Sequence, residues 1–475
     1  MRPQNDIARV RLDAVLRRLG VSSAASIAKT LGVSIPTLHR ILHERANEVV
    51  RLGTTKFARY ALRRPLQGVL APVSVYMIDE FGRVALYGSM DLISPDGAVL
   101  NLQNLLGYPT DNEHAAGVWG GLPYPLYDMR PQGYLGRNFA RLIASDFDVP
   151  PDPEKWSDDH IVNVLSRRGV DTSGNLIVGD IAYKRWLESM ASLEPAITEA
   201  QLADRYLQLA SEAVMYVGAG SSAGGEFPKF TARRALEKST TPHVIVKFSG
   251  AEASLPVTRW ADLLVCEHLA LEALRTNHLS AAKSRIVQAG GRTFLEVERF
   301  DRCGEFGRLP LISLSSLDAA FIGLGSGDWP LLIERLVALS IVPATLLFET
   351  QVLWWFGRMI ANNDMHLGNL SFQFKPKPAQ APTLYLSPAY DMLPMLYAPL
   401  SGGEVPPRQF SPVLPLPHQT EAWQVAHVIA TSFWEAASQD ERISLPFKEI
   451  CLTNLTQLNQ LKLLTKQATI LGNDE

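Results

Sequence analysis

The sequence predicts an α+β protein in which a small, basic, winged helix-turn-helix module precedes a larger, acidic, two-lobed body. Three observations predict it. Charge is divided unevenly: residues 1–65 hold 13 Lys and Arg against 4 Asp and Glu, while the remainder holds 32 against 44. The first part reads as helix, glycine turn, helix and hairpin. The second part carries a glycine-rich loop, a strand lysine and an Asp–Asn–Asp set in one order along the chain.

A chain of 475 residues exceeds what one core usually fills, so several units are expected. The expected division is 1–65, 66–300 and 301–475. The 47% hydrophobic and 20% charged content excludes a disordered chain. Cys266, Cys303 and Cys451 are far apart and form no CxxC pair. That spacing argues against a zinc site or a disulfide framework and suits a reducing cytoplasm. The most apolar run, residues 341–356, is interrupted by Glu349 and is too short to span a bilayer. No secretory pattern opens the chain, so a cytoplasmic protein with no membrane partner is expected.

In the N-terminal module, Leu12, Val15, Leu16 and Leu19 recur at helical spacing before Gly20. Ser22 or Ser23 caps a short helix that buries Ile27 and Leu31, and Gly32 makes the turn. Ser34 caps a second helix with Pro36 in its first turn, where a missing amide hydrogen costs nothing. That helix buries Leu38, Ile41 and Leu42 and leaves Thr37, His39, Arg40 and His43 outward, a set that suits a major groove. The segment EVVRLGTTKFARYALRR alternates around Gly-Thr-Thr and reads as a hairpin loaded with Arg51, Lys56, Arg59, Arg63 and Arg64. A basic wing behind a helix-turn-helix supplies phosphate neutralisation, so double-stranded DNA is the expected partner. Such modules also dock proteins or pair, which leaves a homodimer open.

Residues 68–102 alternate short apolar runs with Gly and Asp-Gly turns, as an antiparallel β unit does. A Pro/Gly-rich stretch near 120–137 follows, then helical segments around 140–143, 156–168 and 200–216. Periodicity assigns this region no chemistry.

The chemistry lies further on. In GAGSSAGGEFPKF, residues 218–230, Ser221, Ser222, Ala223, Gly224 and Gly225 leave backbone amides free to converge on phosphate oxygens. Lys247 ends the β-branched run HVIVKF, where a buried-strand lysine serves the α- and β-phosphates of a nucleotide. Glu267, on the helix CEHLALEALRTNHL, is its candidate partner. Glu296, Val297 and Glu298, on the strand FLEVERFDR, are candidates to meet adenine through main chain. In IANNDMHLGNLSF, Asp364 and Asn369 have the spacing of a protein-kinase catalytic loop. A carboxylate there accepts or orients the substrate hydroxyl proton, and an amide oxygen five residues on reaches Mg²⁺. His366 sits between them and orders the loop or touches phosphate. Asp391, in LYLSPAYDMLPM, supplies the second carboxylate for the metal.

In order, SSAGGEFPKF, VIVKF, CEHLALEAL, LEVERFDR, NNDMHLGN and LSPAYDMLP closely resemble the signature elements of HipA-family serine/threonine kinases. The resemblance covers residues 68–465. With RPQGYLGR and the fused helix-turn-helix, the chain resembles the family's YjjJ-like branch. The family's Gly-Ala-Gln-x-Lys run is replaced here by Gly225-Glu226-Phe227-Pro228-Lys229. The resemblance implies a two-lobed toxin kinase using ATP and Mg²⁺ on protein serine or threonine. Lys247 would bind ATP, Asp364 would be the base, and Asn369 and Asp391 would hold Mg²⁺. His366 corresponds to the family's catalytic-loop histidine, and Ser221 or the adjacent Ser222 to its autophosphorylation site. It also implies partners: an aminoacyl-tRNA synthetase as protein substrate and a separate antitoxin, whose DNA-binding role this chain has the parts to supply itself. The alternative is a DNA-binding transcriptional regulator whose kinase-like body senses nucleotide or dimerises without phosphotransfer.

Overall fold

The computed structural model describes residues 3–53, 57–100, 107–111, 114, 116–215, 227–237, 239–375 and 383–471. The N-terminal module opens with α1 (Pro3–Leu19) and the two-residue strand β1 (Ser22–Ser23). Helix α2 (Ala24–Leu31) is capped by Ser23, whose Oγ accepts from the Ser26 amide at 3.2 Å. Gly32 closes that helix at φ 70°, a left-handed conformation that glycine adopts without a Cβ penalty. Helix α3 (Ile35–Glu44) starts on Ser34, whose Oγ accepts from the Thr37 amide at 3.3 Å, with proline in the first turn. Leu12, Leu16, Ile27, Leu38 and Ile41 are fully buried against one another. Strands β2 (Val49–Leu52) and β3 (Arg59–Leu62) form the expected antiparallel hairpin, and β1 adds to the far edge of β3. His39, Arg40, His43, Arg51 and Arg59 are exposed and Thr37 is half-buried. Lys56 lies outside the described residues.

The wing also fastens the module to the body. Val50, Leu52 and Ala61 share a small core with Ile93, and Val99 and Val118 pack against it. Arg63 Nε donates to Asp91 Oδ1 at 2.7 Å, and Arg64 pairs with Asp159 and donates to the Ile93 carbonyl at 3.1 Å. The basic load expected of the wing is corrected here. Arg63 and Arg64 turn inward because carboxylates of the body partner them.

The middle unit is a five-stranded antiparallel sheet of β4 (Val73–Ile78), β5 (Val84–Leu92), β6 (Ala98–Val99), β7 (Val118–Trp119) and β8 (Leu176–Val178). Its order is β7-β6-β5-β4-β8, so the chain returns to the β4 edge only after α4 (Gly133–Phe147) and α5 (Asp158–Arg168). Helices α6 (Asp180–Ala191) and α7 (Leu202–Met215) then lead to a second sheet.

That sheet comprises β9 (Lys229–Arg233), β10 (His243–Phe248), β11 (Ser284–Ala289) and β12 (Arg292–Glu298), ordered β11-β12-β10-β9, with α8 (Leu255–Thr276) between β10 and β11. Strand alternation divides its two faces. Val244, Val246 and Phe248 pack with Phe230 and Phe294 against Tyr206 and Ala210 of α7, while Lys247 points to α8. The small pair β13 (Arg302–Cys303) and β14 (Gly307–Arg308) leads into the large lobe. That lobe holds β15 (Ile312–Ser313), α9 (Leu314–Phe321), α10 (Trp329–Ala338), α11 (Leu346–Met359), β16 (Ser371–Gln373), β17 (Tyr385–Leu386), α12 (Thr420–Gln439) and α13 (Leu445–Leu471). Trp423, Phe433 and Trp434 of α12 are fully buried, and Trp434 Nε1 donates to the Met359 carbonyl at 3.0 Å. This bond fixes the end of α11, from which the Asp364–Asn369 loop departs. No helix among the described residues is long and apolar enough to cross a membrane.

Candidate active site

Lys247 is 7% exposed, and its ammonium donates to both Glu267 oxygens, at 2.7 and 2.8 Å, and to Asp391. Three elements therefore meet on one nitrogen: β10, α8 and the segment after β17. Burial disfavours the ammonium, but Asp391 and then Glu267 outweigh it and hold the Lys247 pKa above its usual value. Burial would raise the Asp391 carboxyl, yet Lys247 and Lys229 hold it below its usual value. Glu267 is pushed up by burial, with the Asp391 charge adding and Lys247 opposing.

The loop from Asp364 to Asn369 is ordered by its own side chains. Asn369 Nδ2 donates to the Asp364 carbonyl at 2.8 Å, and Asn362 Oδ1 accepts from the Asp364 amide at 3.0 Å. Asn362 Nδ2 in turn donates to the Asp391 carbonyl at 3.2 Å, joining this loop to the Asp391 segment. His366 Nδ1 accepts from the Gly368 amide at 3.1 Å, which leaves the proton of a neutral ring on Nε2. Trp329 Nε1 donates to the His366 carbonyl at 3.2 Å, and Tyr390 Oη to the Gly368 carbonyl at 2.6 Å. Ala361 and Asp391 sit at φ 59° and 54°, a left-handed conformation that costs free energy in residues other than glycine and clusters at functional sites.

The oxygen-only pair of the Asp391 carboxylate and the Asn369 amide fits Mg²⁺, which takes few protein ligands and fills its octahedron with water and phosphate oxygens. Beside them a cleft of about 600 Å³ is lined by Asn362, Asp364, His366, Arg358, Phe410 and the 325–327 loop. It opens next to the carboxylate that would meet an acceptor hydroxyl.

Lys247, Glu267, Asp364, His366, Asn369 and Asp391 are thus brought to one region. Ser221, Ser222, Ala223, Gly224 and Gly225 lie outside the described residues. Glu296 and Val297 do not offer free main chain as expected. Register places Glu296 between Val246 and Arg285, and Val297 between Ile245 and Ser284, inside the sheet. The Glu296 carboxylate instead accepts from fully buried Arg234 at 2.9 Å and from Tyr206 Oη at 2.5 Å, on the α7 side. Glu298 ends the strand with its amide bonded to the Lys283 carbonyl at 2.8 Å. Asn362 and Tyr390 have site contacts that sequence reasoning did not assign; nor did it assign Lys229, which pairs with Lys247 in the sheet register and lowers the Asp391 pKa by its charge. The doubled Asn-Asn before Asp364 was the available signal for the first.

A two-lobed fold, with a strand lysine clamped by a helix glutamate above an Asp–Asn loop and a second aspartate, defines a protein of the kinase-like class. Residues 69–187 match the family described as YjjJ-like toxin, middle domain, and residues 221–450 match the HipA-like C-terminal domain. The chain is 35% identical over 444 residues to Toxin YjjJ of Escherichia coli (strain K12), covering 93% of this chain and 96% of that protein. It belongs to the YjjJ-like branch of the HipA-like toxin family. Among solved structures, it is similar to HipA in a complex with HipB and operator DNA from Shewanella oneidensis MR-1. That match has 14% identity and a TM-score of 0.47 over 83% of this chain and 95% of that one. It is also similar to the Helicobacter pylori proinflammatory kinase CtkA, at 13% identity and a TM-score of 0.37 over 54% and 96%.

Proposed function

We propose that the chain is an ATP-dependent protein kinase that phosphorylates serine or threonine, its own glycine-rich loop included, and binds DNA through its N-terminal module. The observation that carries the reading is Lys247, buried and held by Glu267 with Asp391 at its other side. A buried ammonium with two carboxylates is expensive as a structural device, since apolar side chains of similar volume often serve stability as well or better. As a phosphate-binding cation set beside a metal-binding carboxylate, each group has a task.

In this reading Lys247 holds the α- and β-phosphates while Glu267 fixes its position. Asn369 and Asp391 would hold Mg²⁺, which would supply positive charge to the nucleotide phosphates. Asp364 accepts the proton of the acceptor hydroxyl as its oxygen bonds to the γ-phosphorus. The bond to the β–γ bridging oxygen breaks, and ADP leaves. His366 keeps the loop in shape through the Gly368 amide. Exposed His39, Arg40, His43, Arg51 and Arg59 supply groove and phosphate contacts for double-stranded DNA.

The test is incubation of the full chain with MgATP, followed by mapping of phosphate by mass spectrometry. Phosphate on Ser221 or Ser222 is expected. Modification only elsewhere would refute the loop as acceptor. Failure to phosphorylate either itself or any added protein would leave the nucleotide-sensing DNA regulator as the better account.

A further inference from the structure

A second cleft, of about 490 Å³, lies where β9 ends and β10 begins, against α6, α7 and the β13–β14 segment. Five arginines line it against three carboxylates, those of Asp171, Glu194 and Glu305. Most of these charges are matched. Arg299 and Arg302 each pair with Asp171 and with Asp301, and Arg233 pairs with Glu305.

Arg308 is the exception. It is 5% exposed and forms no ion pair with a described carboxylate, and its Nη2 donates only to the Val170 carbonyl, at 2.5 Å. Its Nη1 is buried with no hydrogen-bond partner among the described residues, and so is Nε of Arg233 on the same cleft. Arg205, at the α7 wall, donates to the neutral amide of Gln208 at 2.7 Å. Burial, then the charge of Arg302, holds the Arg308 pKa down at about 9. Asp171 and Asp301 offset its charge from beyond ion-pair distance, but a buried guanidinium with an unused donor is costly to leave empty-handed.

We propose that this cleft binds a small phosphate monoester, its dianion held between Arg308, Arg233 and Arg205 and its organic body against Trp186, Met190 and Phe306. With Asp301 counted beside Arg299 and Arg302, the arginines exceed the carboxylates by one, an excess that an oxyanion would offset. Guanidinium forks suit the tetrahedral oxyanion, since parallel N–H donors meet two of its oxygens. The apolar wall favours an ester over free phosphate. None of Lys247, Glu267, Asp364, Asn369 and Asp391 lines it, so it stands whether or not the chain transfers phosphate.

The experiment is calorimetric titration of the full chain with phenyl phosphate, with benzyl alcohol as the neutral control. Saturable binding of phenyl phosphate alone is expected for the wild type and for Lys247→Met. Loss of one charged hydrogen bond should weaken it roughly tenfold in Arg308→Met and in Arg205→Gln. Without ligand, Arg308→Met should melt no lower than the wild type, and phenyl phosphate should no longer raise its Tm. Absence of saturable binding would overturn the proposal. So would unchanged affinity in both arginine variants, or a loss confined to Lys247→Met. If Arg308→Met does not fold, the half-exposed Arg205→Gln variant decides alone.

Discussion

The side-chain amide of Asn362 donates to the backbone carbonyl of Asp391, 29 residues further along, at 3.2 Å. Its other end accepts from the Asp364 amide at 3.0 Å. One buried side chain thus sets the separation of the carboxylate that would meet the acceptor from the carboxylate that would hold the metal.

Asn362→Ala should therefore damage rate more than fold. Losing two net hydrogen bonds costs about 1–3 kcal/mol, measurable by denaturant titration. Displacing either carboxylate by an ångström lowers phosphate transfer on the order of 10²-fold. Transfer at the wild-type rate would show that Asn362 does not position the site.

Lys247→Met removes the cation between Glu267 and Asp391. At neutral pH the two buried carboxylates repel, and the variant should lose about 3 kcal/mol, at the low end for a broken buried pair because Asp391 keeps a third of its side chain exposed. In the wild type the Asp391 pKa is depressed, so its stabilisation is present above the unfolded value and lost as pH falls through the folded one. Without the lysine both carboxyls are raised in the folded state, and the penalty grows as pH rises past their unfolded values. The Tm gap between wild type and variant should accordingly shrink from pH 7 to pH 4. A gap independent of pH would rule out charge as its cause.

The arginines of the N-terminal module should divide by where they point. Replacing exposed Arg40 by Ala should weaken DNA binding and reduce the salt slope by about one if it contacts a phosphate. Arg63→Ala and Arg64→Ala should leave the slope unchanged, because their guanidiniums face Asp91 and Asp159. Deletion of residues 1–65 should abolish binding. A truncated chain that still binds DNA would remove the winged helix from that role.

Glu296→Gln should act on stability rather than on nucleotide. It removes the charge but keeps an acceptor for Arg234, which also retains Glu199 at 2.9 Å, so the loss should be about 1–2 kcal/mol. The KM for ATP should be unchanged. A raised KM with unchanged Tm would return Glu296 to the nucleotide site.

What the sequence made legible was local. Ser23, Gly32, Ser34 and Pro36 specify caps and turns within a few residues, and the structure places them as caps and turns. The Asp364–Asn369 spacing is likewise a property of one loop. Contacts across long separations were hidden. β8 is three residues long and pairs with β4 only after two helices intervene. Arg63 and Arg64 look the same as Arg59 in sequence, but their partners lie 28 and 95 residues away. Glu296 stands in a strand whose alternation sets its side, yet which side faces the cleft depends on where α7 and α8 pack.

Transfer of labelled γ-phosphate from ATP, by wild type and Asp364→Asn at matched MgATP occupancy, tests the central claim most directly. The account predicts label on the wild type alone, with nucleotide binding retained in both and the variant reduced by several orders of magnitude, the scale on which a combined catalytic group acts. Equal labelling of the two proteins would remove Asp364 from the chemistry. Absence of label on both, with MgATP bound, would contradict the kinase reading itself.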